Sequence, residues 1–317
     1  MSRARIVAVI LTHNSGATLA RVIDSCAGVA ARTVVVDSGS QDATVRIARQ
    51  RGCEILTHPF VNYSQQRNWA QRSAGLAPDD WVLHLDDEDV LTPDLAREIE
   101  RAVRTAPADL TGFLMRRVSF FLGRPILHGH LNPNWHLRLF RASNGFCEDR
   151  LYDQHFVTDG KTRHLKGLML DLQEGSLEDW TSAHNRWSTA EALEAGRSRR
   201  SGEHERRTLQ ETLQGDLRMK KRWIKNRIWY RSPLFLRSVL FFLYSYVLRL
   251  GFLDGREGLT YSVLQCFWFR FLVDAKLLEA RMAVRNAPGA PTGAAERASG
   301  AGHSVRALAI RGTERER

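Results

Sequence analysis

The chain has 317 residues, 43% of them apolar, and a formal net charge of +11. A chain of this size buries one large core or two modest ones, which excludes a small scaffold stapled by disulfides. Its four cysteines, Cys26, Cys53, Cys147 and Cys266, lack the close pairing that zinc sites need, and a reducing compartment is expected.

Met1 to Arg5 lead straight into a strand-like segment, so no secretory leader is expected. Ile6 to Leu11 form a continuous apolar run followed by Thr12-His13-Asn14-Ser15-Gly16, then a helical pattern through Leu19, Val22 and Ile23. Thr33 to Ser40 predict a second strand ending on Asp37, a turn at Gly39 and a helix from near Asp42. Cys53 to Leu56 read as a third strand and Ser64 to Ser73 as a helix. Trp81 to Leu85 read as a fourth strand, running into Asp86-Asp87-Glu88-Asp89. Apolar strands alternating with helices imply an α/β fold with a mostly parallel, Rossmann-like sheet covered on both faces. Ligands in such folds bind beyond the carboxyl ends of the strands. The loops at Thr12 to Ser15, Asp37 to Ser40 and Asp86 to Asp89 are expected to converge there.

No G-x-G-x-x-G follows the first strand and no phosphate-binding G-x-x-x-x-G-K-[ST] occurs, which leaves the carboxylates as the chemical signal. Asp37 can accept hydrogen bonds from a base or ribose, or it can close an Asx turn within Asp-Ser-Gly-Ser. Four consecutive acids after a buried strand repel one another and call for compensation. A hard divalent cation supplies it and neutralises a departing diphosphate. Alternatively the acids form a solvated turn that caps the helix from Thr92-Pro93-Asp94.

The segments Val34 to Thr44, Gln66-Arg67-Asn68-Trp69-Ala70 and Trp81 to Leu95, in this order and spacing, resemble glycosyltransferase family 2. The likeness is to bacterial lipopolysaccharide-core and exopolysaccharide transferases of the GT-A fold. It continues through Arg138 to Arg141, Arg150 to Asp153, Ser176 to Asp179 and Asn185 to Ser188, and more loosely to about Glu279. The resemblance implies a donor half over about 1–110 and an acceptor half over about 111–190 of one catalytic domain. It implies a nucleotide-sugar donor, UDP-linked, with Mn2+ or Mg2+. Asp37, Thr12 and Asn14 then line the nucleoside pocket, and Arg67 faces the donor. The family's D-x-D motif maps onto Asp86-Asp87-Glu88, with Glu at the third position. Asp86 with Glu88 fits the register as metal ligands, with Asp87 and Asp89 as shell or cap residues, whereas Asp87 with Asp89 keeps the literal spacing. Inverting transfer requires a base for the acceptor hydroxyl. The family's Glu is replaced here by Asp153, with Glu148 and Asp149 as alternatives and His155 beside it. The loop from Phe120 to Trp135 combines turn residues and aromatics suited to an acceptor sugar. The Q-x-x-R-W motif of processive synthases is not met at Arg186-Trp187 or Arg222-Trp223, so one sugar per encounter is expected.

Residues 1–190 carry 22 Lys and Arg against 22 Asp and Glu, so the positive excess lies entirely in residues 191–317. No nucleic-acid-reading motif accompanies it, and no nucleic-acid partner is expected. Ser238 to Leu248 is an apolar stretch of 11 residues, too short to span a bilayer. Arg218, Lys220, Lys221, Arg222, Lys225, Arg227, Arg231 and Arg237 interleave with aromatics. Residues 191–286 therefore predict basic amphipathic helices on an anionic membrane surface, and 287–317 a disordered tail. These features predict a transferase peripheral to the cytoplasmic side of the inner membrane, acting on a glycan or lipid-linked glycan. The two motif departures frame the alternative, a non-catalytic, membrane-peripheral binding protein on a degenerate fold of the same kind.

Overall fold

The computed structural model describes residues 5–197 and 208–286; the tail expected over 287–317 lies outside the described residues. Strand β1 (Ile6–Thr12) is buried along its whole length, with β2 (Arg32–Asp37) and β4 (Trp81–Asp86) parallel on either side. β3 (Glu54–Thr57) extends the parallel set beyond β2. Beyond β4 the sheet continues through β8 (Asn134–Arg141), β6 (Leu110–Phe121), β11 (Lys161–Leu172) and β5 (Asp89–Leu91), with β7 (Arg124–Pro125) on β6. β8 runs antiparallel to both its neighbours, so the first half is wholly parallel and the second mixed. A two-stranded ribbon of β9 (Gly145–Cys147) and β10 (Phe156–Thr158) stands apart.

Helices cover both faces of the first half, as the apolar strands require. α1 (Leu19–Cys26) buries Leu19, Val22, Ile23 and Cys26, one turn apart, against Ala8, Ile10 and Leu83. α4 (Pro93–Arg104) lies on the same face; it starts on Thr92, whose hydroxyl accepts from Leu95 N at 3.3 Å. The acidic run therefore does not cap α4. Gly167 of β11 admits this helix closely, since a Cβ there would stand 2.5 Å from Leu95 Cα. α2 (Thr44–Gln50) buries Ala48 on that face, and α3 (Tyr63–Ser73) places Ala70 against Val7, Val9 and Val34 on the other. The GT-A type architecture expected from the resemblance is thus present.

The second part of the chain is docked on this body. α5 (Leu177–Arg197) runs through the expected boundary at residue 190 and packs along α9 (Phe269–Arg285). Between them come α6 (Leu217–Arg227), α7 (Leu236–Leu243), which continues as a π-helical turn to Leu248, and α8 (Gly255–Tyr261). Several basic residues expected to face an anionic surface are instead turned inward. Arg222 makes a two-pronged bond to Glu148 at 2.7 and 3.2 Å, both side chains buried. Lys225 reaches Glu191 at 2.8 Å and Asp153 at 3.1 Å, Arg218 donates to Phe156 O at 3.0 Å, and Arg237 pairs with buried Asp274. Charge count along the sequence cannot show this, because the partners lie 34 to 74 residues away.

Breaking a buried pair strands a charge. Arg222→Met is expected to destabilise the protein by about 3–5 kcal/mol in denaturant unfolding. Glu148→Gln, combined with it, should restore most of that loss.

Candidate active site

The strand register sets the site. Thr12 pairs with Asp37 and Leu11 with Asp86, so the ends of β1, β2 and β4 are level at one edge. The loops that follow are tied together there. Asn14 N donates to Ser40 Oγ at 2.8 Å, and Gln41 N donates to Asn14 Oδ1 at 2.8 Å. Ser15 N donates to Thr44 Oγ1 at 2.7 Å, and the Ser15 hydroxyl bonds the Asp87 carboxylate. The convergence expected of the three loops is thus realised.

Asp37 is buried, and its carboxylate serves its own loop. Oδ2 accepts from Gly39 N and Ser40 N at 3.0 Å each, while Oδ1 accepts from Ser40 Oγ at 2.5 Å and Thr12 Oγ1 at 3.4 Å. Gly39, at φ 90°, turns the chain back for these bonds. Asp37 and Thr12 shape the loop after β2 by this Asx turn, and Asn14, exposed at φ 53°, bridges it to the first loop.

The four acids divide into two pairs. Asp86 is held by Arg67 of α3 at 2.9 Å and Arg138 of β8 at 2.5 Å. Burial pushes its carboxyl up, but Arg138, Arg67 and Arg117 outweigh that and hold it well below the usual carboxylate range. Asp89 is fully buried; it bonds Arg117 at 2.8 Å and accepts from Asp86 N at 3.0 Å. Arg117 also stands 2.9 Å from Asp171, which pairs with Asp89 across β5 and β11. Burial pushes the Asp171 carboxyl up, against the pull of Arg117 and the Ser119 hydroxyl.

Asp87 and Glu88 have no arginine within ion-pair distance among the described residues. Burial pushes Asp87 up to about 6 despite the Ser15 hydroxyl, and it pushes Glu88, with Asp171 and Asp87 nearby, up to about 8. Glu88 makes no side-chain hydrogen bond or ion pair among the described residues. Asp87 and Glu88 are therefore the carboxyls whose ionisation the fold leaves uncompensated, while Asp86 and Asp89 are ion-paired. The expected ligand pair Asp86 and Glu88 is thus not the pair left open, because two guanidinium groups occupy Asp86. No group of three or more His, Cys, Asp or Glu is arranged around one metal position among the described residues.

The second wall comes from β8 and the segment after β9. Arg67 and Arg138 lie over the Phe156 ring at 5.5 and 5.8 Å, each with a buried Nε that has no partner. His136, also with an unpartnered Nε2, is kept neutral by burial and by Arg138 and Arg117, and it lies within electrostatic reach of both Asp86 and His155. His155 Nε2 stands 3.6 Å from Asp153. Asp153 sits at φ 57° with its side chain 32% exposed, bound by Lys225 at 3.1 Å and near Arg222 at 3.9 Å. Burial pushes its carboxyl up, and Lys225, Arg222 and His155 override this to hold it well below the ordinary range. Glu148 is fully buried, locked on Arg222 and on the backbone N–H groups of His155 and Leu209 at 2.7 and 3.0 Å, whereas Asp149 is exposed. Sequence patterning assigns no site role to Arg117, Arg138 or Asp171, and it places Lys225 on a membrane-facing surface rather than beside Asp153. The one signal for Asp171 is a lone acid within the apolar run of β11.

A parallel sheet edge with an acid-and-arginine site at its carboxyl end defines a nucleotide-type α/β protein. The chain belongs to the family described as glycosyl transferase family 2, which matches residues 7–164. An uncharacterized glycosyltransferase of Rickettsia felis is 38% identical over 96 residues, 30% of this chain and 33% of its own length. One of Rickettsia typhi is 25% identical over 294 residues, 89% of each chain. The chain thus spans a third of the first relative and most of the second. A solved glucosyl-3-phosphoglycerate synthase of Mycobacterium tuberculosis, in complex with Mn2+ and UDP-glucose, is 20% identical over 37% of this chain and 44% of that one, with a TM-score of 0.30.

Arg117 is the sole cation on both Asp89 and Asp171 within 3 Å among the described residues. Arg117→Met is expected to lower unfolding free energy by about 3–5 kcal/mol, and Asp171→Asn in the same chain should recover part of it.

Proposed function

We propose that the protein transfers one sugar, a hexose or N-acetylhexosamine, from a UDP-sugar to a glycan or lipid-linked glycan, with inversion. The reading includes a role in cell-envelope polysaccharide or lipopolysaccharide synthesis on the cytoplasmic side of the inner membrane. The observation that carries it is the pairing of neutralised Asp86 and Asp89 with uncompensated Asp87 and Glu88 at the mouth of a nucleotide-type sheet edge.

The donor set suits a hard divalent cation, Mn2+ or Mg2+. Two carboxylates would hold it, Glu88 without a partner and Asp87 tied only to Ser15, leaving room for diphosphate oxygens. Bound there, the ion supplies Lewis-acid neutralisation of the leaving diphosphate. Asp86 is then a fixed anchor that orients Arg67 and Arg138 at the site. Thr12, Asn14 and Asp37 form the nucleoside wall.

Asp153 is assigned as the base that takes the acceptor hydroxyl proton. It is partly exposed, whereas Glu148 has both oxygens committed. Lys225 and Arg222 keep it ionised and fix its direction, so its contribution is positioning an acceptor oxygen as much as basicity.

In thermal-shift measurements, UDP with Mn2+ is expected to raise the melting temperature, and Glu88→Gln to remove the metal-dependent part of that rise. A wild-type protein that neither binds UDP in a metal-dependent way nor turns over any member of a nucleotide-sugar panel would rule the reading out. Asp153→Asn should lower kcat by about 100-fold to 10,000-fold with the fold intact. Because Lys225 depresses the Asp153 carboxyl, Lys225→Gln should raise it and move the acid limb of the kcat profile to higher pH. An unmoved limb would assign the base elsewhere.

A further inference from the structure

The helix from Leu236 through its π-helical turn to Leu248 is inside out. Its inward face carries Arg237, Ser238 and Ser245, each at most 3% exposed. Arg237 and Ser238 meet Asp274 of α9, and Ser245 bonds the N–H of His130 at 3.1 Å. Its outward face carries Leu236, Leu240, Leu243 and Val247, at helical spacing and 45–56% exposed. Leu248, at 73%, and Leu253, at 57%, extend this surface past the bend, and Leu259, Val263 and Phe271 extend it along the next helical rod. A helix on a water-facing surface has the opposite arrangement, and an apolar surface of this extent marks a contact with something apolar. No single described helix is long and apolar enough to cross a membrane, and the two helical rods meet at 71°.

The charges around this face select its occupant. From Pro233 to Leu253 the chain contains no acid, and its two cations are Arg237, consumed by Asp274, and exposed Arg249. Arg249 donates to Asn132 O at 2.6 Å, and Lys221 of α6 to His130 O at 3.5 Å, which brings both cations to one loop at the edge of the face. Neither has a carboxylate within ion-pair distance among the described residues, and Lys221 lies within electrostatic reach of Arg249 and Asp153. Asp254 and Glu257, between Leu253 and Leu259, already pair with His128 and Arg124, so a second copy docking by the same face brings cations and no unpaired acid to meet them. Lipid phosphates complement the pair.

We infer that the outward face of Leu236 to Leu253 inserts into the interfacial layer of a phospholipid bilayer, with Lys221 and Arg249 holding lipid phosphates at its edge, so that the Asp153 side of the catalytic pocket faces the headgroups. This rests on the membrane-peripheral part of the proposed function but changes the force responsible. Apolar insertion carries the attachment, and charge adds selectivity.

The test is flotation of the full chain with phosphatidylcholine vesicles, with and without phosphatidylglycerol, at low and at molar salt. Binding to both vesicle types that survives molar salt is expected. Leu240→Asp with Leu243→Asp should weaken binding at least about a hundredfold, from two leucines kept out of the apolar layer. Lys221→Gln with Arg249→Gln should abolish the preference for anionic vesicles while leaving binding to neutral ones. Should the aspartate variant misfold, an environment-sensitive fluorophore on Leu243→Cys gives an independent reading, with a blue shift expected on adding vesicles. Binding that molar salt abolishes and the aspartates leave unchanged would overturn insertion while leaving peripheral attachment by charge in place. A soluble dimer that the aspartates dissociate, with no vesicle binding, would assign the face to self-association and overturn the inference. A monomer that ignores every vesicle would overturn both the insertion and the membrane-peripheral reading.

Discussion

Everything at the functional edge depends on how a buried concentration of negative charge is compensated. β4 delivers four acids to one place, and Asp171 arrives from β11 as a fifth. Three arginines from three different elements, Arg67, Arg117 and Arg138, meet Asp86, Asp89 and Asp171. Arg138 comes from β8, which runs antiparallel to β4, Arg117 from β6, which runs in the same direction as β4, and Arg67 from α3. Asp87 and Glu88 stay outside this arrangement. Selective neutralisation thus converts a repulsive run of carboxylates into a directed one, with two acids serving as framework and two left open to a ligand.

The same logic organises the docking of the C-terminal helices. Glu148, Glu191 and Asp153 belong to the body or to α5, and their partners Arg222, Lys225 and Arg270 belong to the helices that follow. Buried ion pairs of this kind contribute little net stability, since desolvation offsets most of the attraction, but they penalise wrong placements severely. They fix where α6 and α9 sit against the pocket. Of the cations in the second half, Arg222 and Lys225 are turned onto Glu148 and Asp153 of the first half, whereas Arg237 and Arg270 pair with Asp274 and Glu191 of their own half. The surface turned outward is correspondingly apolar.

The first half of the fold was readable because its strands are buried on both faces, so that Ile6 to Leu11 and Trp81 to Leu85 stand out as unbroken apolar runs. The convergence of three loops followed from the general behaviour of parallel sheets. Partnerships across the sheet were not readable. Nothing local to Asp86 points to Arg67 or Arg138, 19 and 52 residues away. The expected metal pair therefore included Asp86, which the fold has neutralised. Helix α7 exposes a different limit. Hydropathy periodicity identifies two unlike faces, but it cannot say which one meets the protein. The answer lies in Asp274, 37 residues further on, whose buried carboxylate draws Arg237 inward and leaves the leucines outside.

Helix α6 bears on the pocket and on the outer surface at once. Lys225 grips Asp153, while Lys221, one turn earlier, stands at the outer loop beside Arg249. α5 likewise runs unbroken from the sheet domain into the helical one. Among the described residues there is therefore no clean seam between the sheet domain and the helices that follow it. Swapping the C-terminal segment between relatives would exchange the partners of Glu148 and Asp153 along with it. The two regions are constrained to change together, as parts of a single working surface.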